Sequence, residues 1–353
     1  MQFSEVTNII KPINLQIRLQ AGVIKLKLDS EIFREISIKD FENIKIGNAT
    51  DCVNGTGVTV LICEKGAPCG VDVRGGGPAS RETTLLLPAS YSQVIHALVL
   101  GGGSAYGLDA AGGVMKFLEE KKIGYEIAGG YVPLVVQSDI FDLTCGNFHV
   151  RPDQAMGYAA CVGAYENNYQ DGNYGCGTGA TVGKFKGMEF CTKSGIGSYA
   201  IKCDDLKIGA VVCVNAVGNV FDENGKCIAG MINDSATAFQ SPEEILFGKL
   251  DGKKENGMAG NTTIGAVLTN AKFDKSRLSK IASMSQNAYA KSIWPVHTSG
   301  DGDTIYALSL GEVEANIDLV GIIAQEVMER AIRNAIYSSK SEFGIKCAGD
   351  LNF

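Results

Sequence analysis

The chain has 353 residues, 45% of them hydrophobic and 20% charged, a balance that supports a sizeable buried core and excludes disordered and fibrous classes. Its net charge of -7, with no lysine and arginine run, excludes the electrostatic footprint of a nucleic-acid binder or of a protein docking on an anionic membrane. No apolar run reaches the ~18 residues of a transmembrane helix, and residues 1–20 lack a basic segment followed by a continuous apolar stretch, so a cytoplasmic protein is expected.

In chain order, residues 13–19 and 23–28 alternate apolar and polar around Ala21-Gly22 and read as a hairpin. This piece, to residue 37, is expected to be an N-terminal extension, and residues 38–353 a single domain. From Ile38 the texture is β-rich and broken by glycine clusters. After Pro88, YSQVIHALVL reads as a helix, and the second half of GGGSAYGLDAAGGVMKFLEEKK has helical spacing with a charged C-terminal end. Residues 157–222 hold strand-like runs such as IGAVVCVNAVGNVF, interrupted by a glycine-rich stretch at 174–184. Residues 248–261, GKLDGKKENGMAGN, read as an exposed, mobile loop. A strand TTIGAVLTN, a helix near 275–292, a strand TIYALSLG and an amphipathic helix from Asn316 to about Ser338 follow, which together suggest layered sheets covered by helices. Of the eleven cysteines, Cys63, Cys161, Cys191 and Cys213 sit in apolar or strand-like runs and no two form a CxxC pair, so buried free thiols are expected rather than disulfides or zinc.

The most informative junction is Gly260-Asn261-Thr262-Thr263, where the loop ends and an apolar strand begins with a hydroxyl residue. A threonine there could attack the preceding carbonyl and leave a free α-amine on itself, which titrates near neutrality and can take the proton from its own Oγ. Equally, Asn-Thr-Thr could simply start a strand. In HTSGDGDT, Asp301 and Asp303 could orient a nucleophile or sit in a plain turn; the remaining positions of a calcium loop are missing. GTGATVGK fails as a phosphate loop, because its glycine spacing is one residue too long and Phe185 stands where Ser or Thr belongs, although Lys184 beside flexible backbone could face a carboxylate or an oxyanion. Asn215 interrupts an apolar strand, as a bulge residue or as an oxyanion donor. Around Ser104 and Tyr106 a glycine-rich helix start offers exposed N–H groups and an aromatic able to line a pocket, without the second glycine of a GxSxG elbow.

Taken together, IGNATD, GTGVTV, GVDVRGGGPASRET, GGGSAYGLDAA, GTGATVGK, VNAVGNV, GNTTIGAVLTNA and HTSGDGDTIYALS, in this order, resemble the L-aminopeptidase/D-esterase (DmpA-like) family of self-cleaving N-terminal-nucleophile-type hydrolases, which includes β-peptidyl aminopeptidases and the endo-type 6-aminohexanoate-oligomer hydrolase. The resemblance covers Ile38 to the C-terminus. It implies an α/β fold of four layers, an αββα sandwich, cut between Asn261 and Thr262 into chains 1–261 and 262–353 that stay associated. It further implies Thr262 as nucleophile, Asn215 as a hydrogen-bonding or oxyanion residue, Lys184, Asp301 and Asp303 as the charged network, and Tyr106 with Ser104 in the substrate pocket. The expected substrates are small peptides, β-peptides or 6-aminohexanoate oligomers; no cofactor or metal is needed, and the cleaved pair is expected to form a homo-oligomer. An acyltransferase of the ornithine-acetyltransferase type shares the same self-cleaving threonine logic. The pair Val136-Gln137 departs from the family pattern, which bears on substrate preference.

Overall fold

The computed structural model describes residues 32–243, 245, 260–351 and 353. Its two main sheets are built from β1 (Arg34–Ile36), β2 (Lys45–Asp51), β3 (Thr56–Ala67), β4 (Cys69–Val73), β5 (Ala79–Arg81) and β6 (Ile95–Gly101), followed by β7 (Val135–Asp139), β8 (Ile196–Cys203), β9 (Leu206–Asn215), β10 (Thr262–Ala271) and β11 (Thr304–Val313). One sheet has the order β1-β8-β9-β10-β11-β4 and the other β2-β3-β6-β7-β5. Only β10 with β11 and β6 with β7 run parallel within them; the other neighbours are antiparallel.

Four helices supply the outer layers: α1 (Ala110–Glu120), α2 (Gln154–Tyr165), α3 (Lys275–Ser292) and α4 (Ile317–Tyr337). Their starts follow from side-chain capping, since Asp153, Asp274 and Asn316 accept from backbone N–H groups of the first turns of α2, α3 and α4. Three apolar cores fill the three gaps between layers. Leu61, Leu98 and Val136 of the five-stranded sheet meet Val211, Ile264 and Leu308 of the six-stranded sheet in the middle. Val58, Val60 and Val99 pack under α1 and α2, while Val212, Val267 and Ile305 pack under α3 and α4. The architecture is the αββα sandwich expected from the motifs. Gly197 shows how close these layers lie: a Cβ there would stand 2.2 Å from the backbone nitrogen of Ala335 in α4.

Two local expectations are corrected. Residues 95–101 form β6 rather than the helix read into YSQVIHALVL, because all seven are buried in the middle of a sheet covered on both faces. A strand with two buried faces shows a continuous apolar run, which periodicity cannot separate from a buried helix. Residues 154–165, which overlap the start of the stretch read as strand-like, form α2; their many small residues carry little periodic signal. The hairpin read at 13–28 and residues 248–259 of the loop lie outside the described residues. Strand β1 falls within the segment read as an extension and joins the sheet edge beside β8. The helices near 275–292 and 316–338 and the strands at 262 and 304 stand where expected. Cys63, Cys161, Cys191 and Cys213 are buried free thiols. No helix among the described residues is long and apolar enough to cross a membrane.

Candidate active site

Three neighbouring strands of the larger sheet end together, and this brings distant sequence segments into one place. Thr262, the first residue of β10, pairs in register with Asn215, the last residue of β9. On its other side Asn261 forms a bridge with Asp301, just before β11. Thr262 is only 4% exposed. Its Oγ1 donates to the carbonyl oxygen of Asn261 at 2.5 Å, and the Gly302 N–H donates to that same oxygen at 2.9 Å. Gly302 has no side chain to spare: a Cβ would lie 2.8 Å from Thr262 Oγ1 and 3.1 Å from its methyl.

The turn before β11 is fastened by its carboxylates. Asp303 Oδ1 accepts the Thr263 N–H at 2.7 Å, and Oδ2 accepts the backbone N–H of His297 at 2.9 Å with His297 Nδ1 also at 2.9 Å. Asp301 Oδ2 accepts the Thr298 N–H at 2.7 Å, whereas its Oδ1 is buried with no hydrogen-bond partner among the described residues. Burial, and then the charge of Asp303, raises the Asp301 carboxyl above the usual range. From outside, the Arg74 and Gly75 N–H groups donate to the Asp303 carbonyl and Gly77 N–H to the Asp301 carbonyl, so the RGGG motif serves as a backbone clasp.

On the β9 side, the Asn215 side chain is locked at both ends. Its Oδ1 accepts from Lys184 Nζ at 2.8 Å and from Thr181 N–H at 3.1 Å, while its Nδ2 donates to the Phe141 carbonyl at 2.9 Å. Lys184 Nζ also reaches the Asn215 carbonyl at 2.9 Å. Burial pulls the Lys184 ammonium down to about 8, partly offset by Cys191 and Asp301. The buried Lys193 Nζ donates to the carbonyls of Gly177, Ala180 and Ser194 and holds the glycine-rich stretch that carries Thr181 and Lys184.

Thr262, Asn215, Lys184, Asp301 and Asp303 thus converge, as the motifs implied. Ser104 is tied to the same region at one remove: its N–H donates to the Ile140 carbonyl, next to the Phe141 carbonyl that receives Asn215. Tyr106 faces outward, 59% exposed, with the Arg151 guanidinium 4.0 Å above its ring. The sequence reading did not single out Gly302, His297 or Asp142. Asp142 accepts Gly103 N–H and Thr56 Oγ1, each at 2.7 Å, beneath the GGG turn, and burial pushes its carboxyl up to about 6. Gln137, half of the departure from the family pattern, is buried and bridges Ala111 N–H, the Gly107 carbonyl and Asp139 Oδ1.

The sequence pattern of peptidase family S58 matches residues 37–347. An uncharacterised aminopeptidase of Mycobacterium leprae is 39% identical over 339 residues, covering 88% of this chain and 92% of the relative. The 6-aminohexanoate-oligomer endohydrolase of Agromyces sp. is 31% identical over 319 residues, covering 86% of each. Among solved structures, the L-aminopeptidase D-Ala-esterase/amidase of Ochrobactrum anthropi, described as a variant of the Ntn hydrolase fold, superposes with a TM-score of 0.66 at 17% identity over 88% of this chain and 90% of its own. The β-aminopeptidase of Burkholderia sp. gives 0.63 at 17% identity, over 89% and 91%. A match over nearly the whole sandwich, with the strand ends that gather Thr262 inside it, leads to one conclusion: this chain belongs to peptidase family S58.

Proposed function

We propose that the chain is a self-processing hydrolase of peptide or peptide-like amide bonds, with Thr262 as its nucleophile. The observation that carries this reading is the Asn261 carbonyl, whose oxygen receives both Thr262 Oγ1 and the Gly302 N–H. Attack by Oγ on that carbonyl carbon places negative charge on an oxygen that already has a fixed backbone donor. The Oγ proton passes to the Thr262 nitrogen, the C–N bond breaks, and Asn261 is left as an ester on Oγ. Water then releases the Asn261 carboxylate and leaves Thr262 with a free α-amine.

That amine becomes the base of the mature enzyme. It takes the Oγ proton as Oγ attacks a substrate amide, returns it to the departing amine, and then helps water to release the acyl group. Asn215, opposite Thr262 in the ladder, is turned and held by Lys184 and Thr181 and supplies the polar side of the site. The positive charge of Lys184 favours the neutral, basic form of a nearby amine.

The aminopeptidase name of one relative and the 6-aminohexanoate-oligomer endohydrolase name of another support a substrate class of small peptides and amide oligomers. Purified protein incubated with L-aminoacyl and β-aminoacyl p-nitroanilides and with a linear 6-aminohexanoate trimer is expected to hydrolyse at least one of them, read by absorbance and mass spectrometry. Inertness of cut protein toward the whole set, combined with transfer of an acyl group to an added amine, would move the chain to the acyltransferase class. A second expectation concerns Gly302: Gly302→Ala puts a methyl in contact with the nucleophile, and self-cleavage is expected to slow by about 10- to 100-fold. Accumulation of uncut chain on a denaturing gel after expression measures it.

A further inference from the structure

Asp303 is the best-held carboxylate of the site, and one of its bonds comes from a residue with no part in the scheme above. Oδ1 accepts the N–H of Thr263, the residue directly after the nucleophile, and Oδ2 accepts from both the backbone and the ring of His297. A carboxylate oxygen only accepts, so the ring contact at 2.9 Å is assigned as a donation by Nδ1–H. The His297 ring is fixed in turn. It is mostly buried, lies tilted on the fully buried Tyr289 ring with centroids 6.1 Å apart, and sits on backbone with φ of 59°, a left-handed conformation uncommon for a residue that carries a side chain. Its Nε2 is buried with no hydrogen-bond partner among the described residues, so the ring's one directed polar contact is with Asp303.

We infer that His297 is a positioning residue: through Nδ1 it holds the Asp303 carboxylate so that Asp303 Oδ1 fixes Thr263 and, with it, the register of Thr262 against Gly302. This rests on the reading of Thr262 as nucleophile. The two backbone donors hold one carboxylate oxygen each. The ring donor adds a second bond to Oδ2 and stiffens the carboxylate against rotation about its Cβ–Cγ bond. Without it the Thr263 N–H loses a stationary acceptor, and Thr262 Oγ1 loses its alignment with the carbonyl it attacks. Misplacement by about 1 Å can cost on the order of 100-fold in rate without touching the chemistry.

Three variants separate a directed bond from mere filling of space. In Asn the side-chain nitrogen stands where His carries Nδ1; in Gln it reaches toward the Nε2 position instead; Leu fills the volume without a donor. For the cut full-length protein acting on whichever p-nitroanilide it hydrolyses, His297→Leu and His297→Gln are expected to lower kcat about 10- to 100-fold with KM within about twofold, and to slow self-cleavage in step. His297→Asn is expected to stay within about threefold of the parent in both readouts. Equal behaviour of the Asn and Gln variants, or a loss that resides in KM, overturns the inference. Should the Leu variant fail to fold, the Asn and Gln pair decides alone. The two readings fail separately: an active Thr262→Ala protein removes the nucleophile, whereas an inactive Thr262→Ala protein beside a fully active His297→Gln removes only the histidine's role.

Discussion

Thr262→Ala is expected to leave the chain uncut, a single species by intact mass, and to lower hydrolysis by about 10⁵-fold or more, the loss typical of removing a nucleophile that works as part of a unit. Alanine deletes Oγ1, the atom 2.5 Å from the Asn261 carbonyl oxygen, and the methyl that packs beside Gly302. Thr262→Ser divides these contributions. It keeps the hydroxyl but loses the methyl, so it is expected to cut and to work, more slowly than the parent because the side chain rotates more freely. A cut and active Thr262→Ala protein would end the proposal that this residue is the nucleophile.

The second large effect is expected at Lys184. Lys184→Met removes the ammonium that donates to both oxygens of Asn215, and kcat is expected to fall by about 10²- to 10³-fold, the scale of losing one preorganised electrostatic partner. The wild-type pH profile carries a further signature. Burial lowers this ammonium to about 8, so activity that depends on its charge declines as pH rises through that value, and the Met variant lacks the decline. Stability moves the other way. Above about 8 the folded chain has given up a proton that the unfolded chain keeps until the ordinary lysine range, so the unfolded state binds more protons and this group's contribution to stability rises with pH. Measuring kcat and thermal melts across the same interval therefore distinguishes a functional limb from unfolding.

The residues of the candidate site were legible because they lie in short motifs bounded by glycine: Asn261-Thr262 after Gly260, and Asp301 and Asp303 around Gly302. Their convergence was not readable from any one motif. It depends on an antiparallel register that sets Asn215 opposite Thr262, and on a parallel neighbour whose turn bridges Asp301 to Asn261. Gly302 escaped notice because its contact is a backbone N–H, and His297 because its ring meets Asp303 only through a left-handed turn that the sequence does not announce. Residues 95–101 misled for a related reason: burial on both faces erases the period that distinguishes strand from helix. Asp142 was passed over because an aspartate in an irregular stretch gives no sign that it caps a buried glycine turn.

The strand order β1-β8-β9-β10-β11-β4 has a consequence for the life of the molecule after a cut at 261/262. Strands β10 and β11 then belong to the shorter fragment, yet they lie between β9 and β4 of the longer one, hydrogen-bonded on both flanks. The two fragments would be interleaved, and neither could leave without breaking two ladders of one sheet, β9–β10 and β11–β4. Scission thus turns a folding reaction of one chain into one that two chains would have to repeat together. Uncut protein is expected to refold at a rate independent of its concentration, whereas a cut pair, once denatured, would first have to meet by diffusion.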